Sequence, residues 1–184
     1  MSRFKYIFLF LALGMFSVSN CGSEETGTEE ASPPKTASST ELTSAKLTWH
    51  SFDEGLRVAS ETDKPVYLFI DAKWCSWCKK MRRETFTDSE VKLAFSNLIP
   101  VTIDGESKEV VTYQGKSYSL AQLSRQVFGV RGFPMNVFLE PNGDIIGGMP
   151  GYIKAKDFAA IANYVGEGHY KNRSFEDYVK EVGS

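Results

Sequence analysis

Hydrophobic residues follow two rhythms along this chain, and each switch between them marks out an element. Trp49, Phe52, Leu56 and Ala59 recur at helical spacing and predict a first helix that ends before Asp63-Lys64-Pro65. "PVYLFI", Pro65 to Ile70, is a continuous apolar run rich in β-formers, the pattern of a strand covered on both faces. "CSWCKKMRRETF" then offers good helix formers with neither Gly nor Pro. Thr87 and Glu90 stand at capping-box spacing and open a helix to about Ser96; "LIPVTID", Leu98 to Asp104, is the next strand. Glu109 to Ser119 alternates around Gln114-Gly115 as a small hairpin, and Ser119 with Gln122 caps a helix ending at Gly129. Met135 to Met149 reads as a second hairpin, with Pro-Asn-Gly turn chemistry between two strands. Phe158, Ile161, Ala162 and Val165 share one face of a helix over Ala155–Val165, and Ser174 caps a last helix to Val182. The order predicts an α/β fold: a central mixed β-sheet flanked by helices on both faces, with an inserted small hairpin.

The first 46 residues do not share this patterning. Residues 1–20 have the form of a signal peptide: Arg3 and Lys5, the apolar run Ile7 to Phe16, then the small residues Ser17 and Ser19. The run is shorter than the roughly 20 apolar residues of a spanning helix, so cleavage is expected rather than a permanent span. Val18-Ser19-Asn20-Cys21 resembles a bacterial lipoprotein signal, which implies lipidation of Cys21 and a lipid anchor to a membrane; Asn20 departs from the usual small residue there. Residues 21–46 hold no aromatic residue and one leucine among Ser, Thr, Glu and Pro, the composition of a polar tether. The folded domain is expected over residues 47–184. These features predict an extracytoplasmic location, in the periplasm and attached to a membrane.

Charge excludes one class of partner. The 184 residues carry a formal net charge of −2, and loss of Arg3 and Lys5 with the signal brings it to −4, so no basic excess points to nucleic acid. With 42% hydrophobic and 24% charged residues the composition is that of a globular protein.

The chemistry concentrates in "DAKWCSWCKK", Asp71 to Lys80. Cys75 follows the buried-strand pattern and opens a helix, where free N–H groups and the dipole stabilise a thiolate and lower its pKa from about 8.5 into the 3.5–7.5 range. Cys78 lies one turn further on the same face, within reach of a bond to Cys75. Three readings compete. A zinc site wants four ligands, but no second cysteine pair exists, and His50 and His169 have no ligand spacing. A purely structural staple across four residues would restrain the unfolded chain very little. Redox chemistry is the favoured reading.

"PVYLFIDAKWCSWCKK" followed by "GVRGFPMNVFLEPNGDIIGGMPGY" resembles the thioredoxin superfamily, and within it the extracytoplasmic, membrane-attached proteins with a W-C-x-x-C-K core. The resemblance implies a thioredoxin-like fold and a thiol-disulfide oxidoreductase without a cofactor. Its redox-active disulfide would be Cys75–Cys78, with Cys75 as nucleophile and Cys78 as resolving cysteine. Trp74 matches the tryptophan shielding the pair, Pro134 the cis-proline beside it, and Phe133 the residue whose backbone pairs with a substrate peptide. The implied partners are a disulfide-containing protein substrate and a membrane electron donor. Phe69 stands where the family has a buried aspartate, six residues before the nucleophile; Asp71 is the nearest acid and is expected either to substitute or to sit exposed at the strand end. Uncharged Ser76 and Trp77 between the cysteines, and hydrophobic Phe133, favour a reductase over a disulfide-forming oxidase. A non-catalytic binding lipoprotein, carrying metal or scaffolding an assembly, is the alternative from another class.

Overall fold

The computed structural model describes residues 47–182. The signal sequence, Cys21 and the tether lie outside the described residues. The elements are α1 (Phe52–Thr62), β1 (Val66–Asp71), α2 (Ser76–Glu84), α3 (Ser89–Ala94), β2 (Ile99–Asp104), β3 (Val110–Tyr113) and β4 (Lys116–Ser119). There follow α4 (Leu120–Gln122), continued as a π-helical turn over Leu123–Val127, then β5 (Met135–Leu139), β6 (Ile145–Pro150), α5 (Ala155–Gly166) and α6 (Phe175–Val182). Four strands form a mixed sheet in the order β2-β1-β5-β6, and β3 and β4 form a separate hairpin. β1 runs parallel to β2 and antiparallel to β5, and β5 runs antiparallel to β6.

β1 is central and its first five residues are buried, as its unbroken apolar run requires. Side-chain alternation divides those residues between two cores. Val66, Leu68 and Ile70 pack with α1 and the hairpin, against Phe52, Val101, Val111 and Phe128. Tyr67 and Phe69 face the opposite layer of Met81, Phe86, Phe95, Phe138 and Phe158. Full burial of each such side chain contributes about 1.5–3 kcal/mol. The second layer is largely aromatic: Tyr67 meets Phe158 at a centroid distance of 4.8 Å and 75°, and Phe69 meets Phe86 at 5.0 Å and 88°, both edge-to-face.

Two expectations from the sequence are corrected. Trp49 does not lie on the first helix, which begins at Phe52. Residues before it run extended, with His50 bridged to Val101, and Trp49 packs on the aromatic layer 4.9 Å from Phe86. Thr87 does not cap α3; Asp88 does, accepting N–H bonds from Glu90 (2.8 Å) and Val91 (3.3 Å), while the Thr87 hydroxyl donates to the Arg83 carbonyl. A carboxylate at the positive end of the helix satisfies these donors, and α2's last turn offers the threonine a closer acceptor.

Other local signals hold. Ser119 and Gln122 form a reciprocal capping box. Gln114 and Gly115 both take positive φ (49° and 75°), the two-residue turn that a tight hairpin needs. That hairpin is tied to the β5–β6 turn by the Tyr113 hydroxyl donating to the Gly143 carbonyl at 2.8 Å.

One buried polar cluster joins the sheet to the loop preceding β5. Asn136 is fully buried; its Oδ1 accepts from the Tyr67 hydroxyl at 2.6 Å, and its Nδ2 donates to the carbonyls of Met149 (3.0 Å) and Gly151 (2.9 Å). Gly151 N–H in turn donates to the Pro134 carbonyl at 2.7 Å. Burial raises the Tyr67 phenol well above its ordinary pKa, so the hydroxyl stays a donor. Tyr67→Phe is expected to lower the free energy of unfolding by about 1–3 kcal/mol, and Asn136→Ala by about 2–4 kcal/mol. Urea titration of the two single variants and the double should show less than additive losses.

Candidate active site

The end of β1 delivers the cysteines. After Asp71 the chain turns, with Cys75 N–H donating to the Ala72 carbonyl at 3.0 Å, and Cys75 becomes the N-cap of α2. Its Sγ accepts the Cys78 N–H at 3.0 Å and is joined to Cys78 Sγ in a disulfide, with Cα atoms 5.3 Å apart. Helix geometry produces this spacing, because a residue three positions on returns to the same face. Both cysteines are buried.

Sheet register brings a second segment to the same end. Ile70 pairs with Met135, so Pro134 stands opposite Asp71, close to the turn that leads to Cys75. The Phe133–Pro134 peptide is cis and Pro134 is buried. β2 contributes a third: Gly105 N–H donates to the Asp71 carbonyl at 2.8 Å. A Cβ on Gly105 would lie 2.5 Å from the Phe133 ring and 2.9 Å from Ile70, so only glycine lets the ring settle there.

Exposed tryptophans flank the pair. Trp74 is 67% exposed, meets Phe133 edge-to-face at 5.9 Å and donates its indole N–H to Glu106 at 2.8 Å. Trp77, 55% exposed, leans on Tyr152 at 5.7 Å, and the Lys80 ammonium lies about 5 Å from both rings. Trp74, Cys75, Cys78, Phe133 and Pro134 are thus gathered at one end of the sheet, while Cys21 lies outside the described residues.

Phe69 is buried in the aromatic layer, so no acid occupies that position. Asp71 is not a free strand-end acid. Its carboxylate accepts from Arg82 Nη2 at 2.6 Å and Nε at 3.0 Å, and Arg82 also reaches the Thr102 hydroxyl. The guanidinium lies 5.0 Å from the Phe69 ring centroid and 5.5 Å from that of Trp49. An arginine on the cysteine helix therefore holds the acid, with two N–H donors on Asp71 Oδ2. His50 is bridged to Val101, and His169 stacks on Tyr178 between Glu167 and Arg173. Among the described residues no three His, Cys, Asp or Glu side chains form a metal-holding cluster. No described helix is long and apolar enough to cross a membrane.

Glu106, Tyr152 and the Arg82 fork carry no local sequence signal. Glu106 meets Trp74 across 32 positions, and only the parallel pairing of β1 with β2 makes them neighbours.

Comparison with known proteins agrees with this architecture. A curated thiol:disulfide interchange protein DsbD of Ralstonia nicotianae is 36% identical over 92 residues, covering 50% of this chain and 14% of that protein. The DsbD of Pseudoalteromonas atlantica is 28% identical over 116 residues, covering 62% and 18%. The chain therefore matches less than a fifth of the length of these relatives. Among solved structures, a thioredoxin-fold protein from Helicobacter pylori superposes with a TM-score of 0.54 at 20% identity, over 66% of this chain and 81% of that one. A family profile described as a thioredoxin-like domain matches residues 52–166, from the start of α1 to the end of α5 and across every strand of the site, so the chain belongs to the thioredoxin-like family.

Proposed function

We propose that the protein is an extracytoplasmic, membrane-anchored thiol-disulfide oxidoreductase that reduces disulfides of other proteins. The observation that carries this reading is the Cys75–Cys78 disulfide at the N-terminus of α2, beside the Phe133–Pro134 loop. The interchange activity in the names of the DsbD relatives supports it.

In the proposed cycle the reduced pair meets a substrate lying extended along Phe133 and Pro134. The Cys75 thiolate attacks one sulfur of the substrate disulfide; that bond breaks, the first substrate sulfur leaves and takes up a proton, and a mixed disulfide with Cys75 remains. Cys78 gives up its proton and attacks Cys75 Sγ, the mixed disulfide breaks, and the second substrate thiol leaves. Two electrons and two protons have passed to the substrate, and the pair is a disulfide. A membrane partner that delivers reducing equivalents restores the dithiol. With Phe69 in place of an acid and Asp71 held by Arg82, solvent or the departing substrate thiolate is left to take the Cys78 proton.

The reductase direction rests on Ser76 and Trp77, which put no charge beside the cysteines to stabilise the reduced form, and on hydrophobic Phe133. Anchoring rests on the lipoprotein-like stretch ending at Cys21.

Reduction of insulin by the full chain with a chemical donor should be lost in Cys75→Ser, whereas Cys78→Ser should accumulate a mixed disulfide visible by mass spectrometry. Stoichiometric metal uptake without dithiol-dependent turnover would replace the enzyme with a binding lipoprotein. Equilibration with glutathione gives the reduction potential of the pair. A reductase should lie toward about −270 mV, and a value near about −120 mV would assign an oxidase. Cys21→Ser should move the protein from the membrane to the soluble fraction and abolish incorporation of a labelled fatty acid.

A further inference from the structure

A cleft of about 190 Å³ opens at Trp74, the residue before Cys75, walled by Trp74 and Phe133 and lined by Glu106, Arg125, Arg131 and Gly132. It is smaller than the roughly 300–1,000 Å³ of small-molecule sites and suits a single side chain. Its charges are not balanced internally. The Glu106 carboxylate accepts the Trp74 indole N–H, whereas the exposed guanidiniums of Arg125 and Arg131 make no hydrogen bond or ion pair with any described residue. Arg131 lies three residues before Pro134, on the loop where the substrate is placed above, and Arg125 reaches the same cleft from the π-helical turn.

We propose that this cleft is a subsite for an acidic side chain next to the substrate's reactive cysteine, so that the preferred clients carry Asp or Glu there. The proposal rests on the oxidoreductase reading and names its substrate class. Arginine forks bind carboxylates in a bidentate geometry, and the Trp74–Phe133 wall displaces water from one side of the pair, which strengthens the attraction. Glu106 does not offset two cations, and its hydrogen bond to Trp74 holds the aromatic wall in place. A basic side chain would meet both guanidiniums and be repelled.

The test uses the pre-reduced full chain in single turnover, so that no external donor is needed. Three peptides, each with one cysteine capped as a mixed disulfide with 2-mercaptoethanol, differ only in two flanking residues: Glu, Gln or Lys. Acid quenching, alkylation and mass spectrometry give the rates, each divided by the rate of the same peptide with dithiothreitol to remove intrinsic reactivity. At low salt the Glu peptide should react about tenfold faster than the Lys peptide, with Gln between. The ratio should fall toward unity in 0.5 M NaCl, where the screening length is about 4 Å. Arg125→Gln/Arg131→Gln should abolish the ratio and Arg125→Glu/Arg131→Glu should invert it, while Lys116→Gln/Lys156→Gln, which removes equal charge elsewhere, should retain it. Equal rates, a Lys preference, or a Glu preference that survives Arg125→Gln/Arg131→Gln overturns the subsite while leaving the oxidoreductase intact. Failure of the reduced chain to react with any of the peptides overturns the oxidoreductase reading itself.

Discussion

The antiparallel register of β5 on β1 is the constraint on which the site depends. Pairing of Ile70 with Met135 puts Pro134 opposite Asp71, and a shift of one residue would turn every β5 side chain to the wrong core. The Tyr67–Asn136 hydrogen bond specifies that register, because Asn136 is fully buried and would lose its partners in any other pairing. The same amide bonds the carbonyls of Met149 and Gly151, and Gly151 bonds Pro134, so core, β6 and proline loop form one connected unit.

That unit converts topology into chemistry. The ends of β1 and β2 and the start of β5 meet at one edge, where Cys75, Glu106 and Phe133 come from three different parts of the chain. The disulfide sits at a helix N-terminus, where Cys75 Sγ accepts the Cys78 N–H. Beneath it the aromatic layer is apolar, and of the carboxylates at this end Asp71 is engaged by Arg82 and Glu106 by the Trp74 indole.

The two flanks differ in character. Trp74 borders a cleft whose two arginines pair with no described residue, whereas Trp77 and Tyr152 form an aromatic platform with Lys80 beside it. Charge therefore lies on one side of the disulfide and aromatic surface on the other.

Most elements were legible in the sequence because their causes are local. The buried run Val66–Ile70, the Ser119–Gln122 capping box and the Gln114-Gly115 turn act over a few residues, and the cysteine spacing follows from helix geometry alone. Where local signals competed, packing decided: Asp88 displaced Thr87 as a cap, and extended backbone took Trp49 from the α1 face to the aromatic layer. The neighbours that shape the site were decided only by the tertiary structure. Glu106 reaches Trp74 through strand pairing, Arg82 claims Asp71 across the strand-to-helix turn, and Arg125 and Arg131 share a cleft because the π-helical turn and the proline loop end together. By itself the sequence determined which groups could react; which groups stand beside them depends on long-range register, and no local pattern encodes that.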